Sequence, residues 1–110
     1  MAKRKCLCIQ KRQFVRLVKR YVLEDVPALD QIEFTPRTPK QDMNKSRPAN
    51  LTWKGAVSGH YSVYLRRDRG VNKLVVFEYY TDAVLESPTQ FVYEISDDEL
   101  LRLHLLKEVA

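Results

Sequence analysis

Glycine is scarce in this 110-residue chain: there are three, and all of them (Gly55, Gly59 and Gly70) fall between residues 53 and 70. That scarcity works against any glycine-rich phosphate cradle, and neither GxxxxGK[ST] nor GxGxxG occurs. GxSxG and HExxH are missing too, which leaves hydrolase-elbow and zincin chemistry without support. No apolar run exceeds four residues, as at Leu74 to Phe77, so nothing is long enough to cross a bilayer as a helix. Cysteine is limited to Cys6 and Cys8, too close for an unstrained disulfide. Reduced thiols and a cytosol-like compartment are therefore expected. The only histidines are His60 and His104, and C-x-C with two distant histidines lacks the ligand spacing of a zinc site. Neither a metal nor another cofactor is expected.

Charge is abundant, and it is unevenly placed. The net value is +5, yet residues 1–73 hold 17 Lys and Arg against 6 Asp and Glu, whereas residues 74–110 hold 2 against 8. Such polarity predicts a positive region that attracts phosphates or an acidic partner. The basic, acid-free start from Met1 to Leu23 mimics a transit peptide. It contains lysine, lacks serine and has the apolar spacing of a domain helix, so it is read as part of the fold.

That helix is expected over 11–23. Phe14, Leu17, Val18 and Tyr21 fall at i, i+3, i+4 and i+7, while Arg12, Arg16, Lys19 and Arg20 share the opposite side. A membrane-surface role for this amphipathic stretch is set aside, because a chain this short needs those apolar residues for its core. The segment from Cys6 to Ile9 fits a strand or a first helical turn, and QIEFT (31–35) fits an edge strand. Residues 36–50 hold three prolines and four basic residues and predict a long basic loop.

From residue 51 the apolar period becomes two. Tyr61, Val63 and Leu65 share one face, and His60, Ser62, Tyr64 and Arg66 the other. Arg67 to Gly70 predicts a turn, VNKLVVFEYY (71–80) a second hairpin strand, and QFVYEI (90–95) a further strand with Phe91, Tyr93 and Ile95 on one face. Ser96-Asp97-Asp98-Glu99 fits a capping box that accounts for the three acids without a metal. The following LLRLHLLKEV predicts a helix apolar almost all round, buried or shared with a second copy as a homodimer. The expected fold is α+β: one domain, an antiparallel sheet of about three to four strands, an N-terminal amphipathic helix and a C-terminal helix.

Phosphate contact needs fixed cations, and unpaired bases need aromatic faces. Arg12, Arg16, Lys19 and Arg20 offer the first on a helix; Lys54, His60, Tyr64, Arg66, Arg67 and Arg69 offer both around the hairpin. The leading expectation is a small, non-enzymatic intracellular protein that contacts nucleic acid or a nucleoprotein. A protein-interaction module, of viral or phage origin among the options, whose positive surface meets an acidic protein is a further one.

One family resemblance accompanies these residues. Leu51, Lys54-Gly55, Gly59, Tyr61-Ser62-Val63, Leu65-Arg66 and Leu74-Val75-Val76-Phe77 follow an order that resembles the central hairpin of RelE-like toxins, the ribosome-dependent messenger-RNA nucleases of toxin–antitoxin pairs. The resemblance implies an endoribonuclease in which Lys54, Arg66 or Arg67, and Tyr79 or Tyr80 serve as charge-stabilising and proton-shuttling groups. That family opens with a two-helix hairpin, where this chain has one helix and a proline-containing stretch.

Overall fold

A computed structural model describes residues 4–22, 26–36, 48–55, 59–80 and 89–109. Its elements run β1 (Arg4–Leu7), α1 (Lys11–Tyr21), a 3₁₀ turn (Leu29–Gln31), β2 (Glu33–Thr35), β3 (Asn50–Lys54), β4 (Gly59–Asp68), β5 (Val71–Tyr80), β6 (Thr89–Ile95), α2 (Asp97–Arg102) and β7 (Leu106–Val109). Strands β2 to β6 form one antiparallel sheet in chain order, and β1 pairs with β7 in a second, two-stranded sheet. The chain is α+β as expected, with more strands than the three to four predicted. The surplus comes from β1 and β7, which pair with each other, and from β3, which begins inside the expected loop. Within that loop Ala49 is buried and Asn50 opposes Tyr64, while residues 37–47 lie outside the described residues.

Helix α1 follows its apolar stripe. Phe14, Val15, Leu17 and Val18 are buried, while Arg12, Arg16, Lys19 and Arg20 are exposed. Val22 closes the helix by donating its N–H to the Val18 carbonyl at 2.8 Å. The buried side joins a core cluster that draws on a single face of the large sheet: Leu51 and Trp53, Val63 and Leu65, Leu74 and Val76, and Ile95. Register explains the selection, since Leu51 opposes Val63, Val63 opposes Val76 and Leu74 opposes Leu65. The other face, offset by one residue in every strand, contributes nothing to that cluster.

The β4–β5 hairpin turns on Arg69 and Gly70, both at positive φ (51° and 77°). Two left-handed central residues are what a type I′ turn needs to match the twist of its strands. Gly70 takes this conformation without cost, whereas an arginine there costs roughly 1 kcal/mol. Replacing Arg69 by Asn, which tolerates the left-handed region, is expected to raise the melting temperature by about 3–6 °C in a thermal melt.

The C-terminal helix is shorter than the leucine pattern predicts. It ends at Arg102, and the chain turns into β7. His104 donates to the Leu101 carbonyl at 3.1 Å, and Leu105 to the Leu100 carbonyl at 2.8 Å. That pair of bonds is a Schellman cap, with His104 at φ 59° in the place usually held by glycine and Leu105 packed beside Leu100. The all-round apolar pattern thus belongs to two elements, with Leu100 and Leu103 buried three residues apart at the helix and the adjacent Leu105 and Leu106 buried after the break. Leu100, Leu103, Leu105 and Leu106 are buried within the chain's own core, so a homodimer through a C-terminal helix loses its basis. His104→Gly is expected to stabilise the fold by about 1 kcal/mol, read as a higher urea midpoint at unchanged slope.

Candidate nucleic-acid interface

The second face of the large sheet is covered by no described element. Its residues form cross-strand rows set by the register. Lys54, His60 and Tyr79 make one row at one end. Thr52, Ser62, Phe77 and Gln90 make the next, followed by Asn50, Tyr64, Val75 and Val92. Arg66, Lys73 and Glu94 come next, and Asp68 and Val71 close the other end. Neighbours within a row are about 4.8 Å apart, and the His60 and Arg66 rows are separated by about 20 Å, six residues along one strand.

Aromatic rings run from the Lys54 and His60 row to the middle of this surface. Tyr64 and Phe77 stack with centroids 5.8 Å apart and planes 29° apart. Phe77 and Tyr79 follow at 6.2 Å and 32°. Val75, framed by Tyr64 and Val92 in the register, is buried although it lies outside the main core. Tyr79 is 42% exposed and Val92 49%, so the patch is open to contact. Lys54, His60, Arg66 and Lys73 are exposed around it. Among the described residues, Lys54, Arg66 and Lys73 make no ion pair, so their charges are available to a partner. The acids of this face sit at its margins: Glu33 on β2, Asp68 beside the turn and Glu94 on β6.

The sequence-predicted residues divide among several places. Lys54, His60, Tyr64, Arg66 and Tyr79 share the open face. Arg12, Arg16, Lys19 and Arg20 are exposed on α1, which packs on the opposite face, so the helix and hairpin cations do not form one surface. Arg20 is moreover paired with Glu99 at 3.3 Å. Arg69 is exposed at the hairpin tip. The side chain of Tyr80 lies outside the described residues, although its backbone opposes Gly59.

Arg67 faces inward and is committed to the fold. Its Nη1 donates to Asp97 Oδ1 and to Asn72 Oδ1, each at 2.7 Å. Asn72, 2% exposed, donates in turn to Asp97 Oδ1 at 2.7 Å and to the Ile95 carbonyl at 3.0 Å. Lys5 Nζ reaches Asp97 Oδ2 at 3.3 Å. This network ties β1, β4, β5 and β6 to the start of α2, and the Arg67 and Asn72 hydrogen bonds hold the Asp97 carboxyl well below the usual carboxylate range. Only half of the expected capping box forms. Ser96 accepts from the Glu99 amide at 3.2 Å, whereas the Glu99 carboxylate takes the Tyr21 hydroxyl at 2.7 Å. Burial, aided by that carboxylate, pushes the Tyr21 phenol above its ordinary value.

Gly55, between β3 and β4, has a structural use. The Gly55 amide donates to the Gly59 carbonyl at 2.7 Å, and a Cβ on Gly55 would stand 3.0 Å from the Tyr61 ring. Tyr61 itself stacks on Trp53 at 5.1 Å. Lys54 and Arg66 stand in rows about 20 Å apart, so one phosphate does not reach both.

Sequence reasoning missed Lys73 and Phe77. The period-two pattern of 71–80 contains the signal, since Lys73, Val75, Phe77 and Tyr79 alternate with Leu74 and Val76, but the unbroken LVVF run hides it. No helix among the described residues is long and apolar enough to span a membrane, and no three metal-ligating side chains cluster there. Compared with protein-family models, curated proteins and solved structures, the chain matches none.

Proposed function

We propose that this chain is a small, non-enzymatic binding protein whose partner is nucleic acid or a nucleoprotein complex, met through the open face of the large sheet. The observation that carries the reading is the coincidence on one face of stacked aromatics with three cations, Lys54, Arg66 and Lys73, that form no ion pair among the described residues. Phosphates supply the missing counter-charge, and bases suit the rings. The distance between Lys54 and Arg66 favours contact along an extended polyanion over the crowding of catalytic groups at one phosphate.

Binding of fluorescent RNA and duplex DNA, followed by inspection of the RNA on a gel, tests this. The expected result is binding with intact RNA. Cleaved RNA, or message cleavage in a translation assay, would replace the reading by the RelE-like one. Competition by poly-glutamate as effective as that by RNA would point to an acidic protein partner instead.

A further inference from the structure

The large sheet is five strands wide, about 20 Å from edge to edge at the usual strand spacing. The major groove of duplex DNA is about 12 Å across and admits a helix or a two-stranded ribbon. A five-stranded face does not enter it. In an undistorted duplex the π-faces of the bases are covered by their stacked neighbours, so bases lay those faces on the rings of this sheet where the strand is unpaired.

Resting on the nucleic-acid reading above, we infer that the open face holds a single strand of nucleic acid. Its unpaired bases stack on Tyr64, Phe77 and Tyr79, while Lys54 and His60 at one end and Arg66 and Lys73 toward the other hold its phosphates. The three rings form a continuous series with centroid steps of 5.8 and 6.2 Å. Tyr79 stands in the Lys54 and His60 row, and Phe77 and Tyr64 lie between that row and the one with Arg66 and Lys73, so a strand laid along β4 and β5 meets charge beside a ring, two further rings and charge in turn. Stacking reads the π-face common to every base, which makes the site tolerant of sequence.

The test uses three probes of about 12 nucleotides, within the usual range of site sizes: oligo-uridine RNA, oligo-thymidine DNA and a mixed-sequence duplex. The better-bound single strand is expected to bind at least about tenfold more tightly than the duplex. Phe77→Leu and Tyr79→Leu keep an apolar side chain and remove the ring, and each is expected to weaken single-strand binding about fivefold or more with duplex binding unchanged. Tyr79 is 42% exposed, so its variant keeps the test alive should Phe77→Leu fail to fold by circular dichroism. Duplex bound as tightly as either single strand, or leucine variants that bind normally, would overturn the inference and leave electrostatic nucleic-acid binding standing. No binding to any of the three probes would overturn the underlying reading as well.

Discussion

Asp97→Ala is expected to cost about 3 kcal/mol and to lower the melting temperature by on the order of 10 °C. The carboxylate accepts from Arg67, Asn72 and Lys5, and Arg67 is held at 17% exposure with Asn72 nearly inaccessible. Removing the acceptor leaves a half-enclosed guanidinium and a buried amide short of a partner, and such groups cost more than the bonds they made. Asp97→Asn keeps an acceptor but not the charge, so it should fall between the two. The pH dependence has a definite sign. The folded carboxyl titrates below its unfolded value of about 3.9, so its stabilisation is complete above pH ~4 and is lost as pH falls through the depressed value. Urea midpoints between neutral pH and about pH 2 should converge for Asp97→Asn and the unaltered protein. Equal midpoints at neutral pH would show that the network adds nothing.

Replacing Lys54, Arg66 and Lys73 together by glutamine is expected to weaken single-strand RNA binding on the order of 100-fold at low salt. It should also flatten the log–log salt slope by about two, because each neutralised phosphate releases a fraction of a counterion. All three side chains are exposed and project from the open face, so the fold should tolerate the change. Removing Arg12, Arg16 and Lys19 from α1 provides the contrast. Those cations lie on the opposite side and have none of the aromatic rows beside them, so the loss should stay within about tenfold. Similar losses in both triple variants, measured by fluorescence anisotropy, would assign binding to general positive charge.

Much of this was legible from residue spacing, and the exceptions have physical causes. The stripe of Phe14, Leu17 and Val18 and the alternation of Val63 and Leu65 against His60 and Tyr64 fix faces locally, so α1 and β4 follow from the sequence. Gly70 marked the turn, but Arg69 at positive φ carries no composition signal. The break after α2 was hidden for the same reason: His104 stands where glycine would have announced it. The Asp97 network was beyond reach, because its partners lie 92, 30 and 25 residues away and only the tertiary fold brings them together. Arg67 looked identical to Arg66 in sequence, and a one-residue step on a strand sent one inward and the other to the open face.

The most direct single test is the affinity for single-stranded RNA measured from about 50 to about 200 mM salt for the unaltered protein and for the Lys54, Arg66 and Lys73 glutamine variant. The account predicts a steep fall of affinity with salt for the first, a slope flatter by about two for the second, and intact RNA throughout. Parallel slopes, or no measurable binding at low salt, would contradict the assignment of the open sheet face as a nucleic-acid surface.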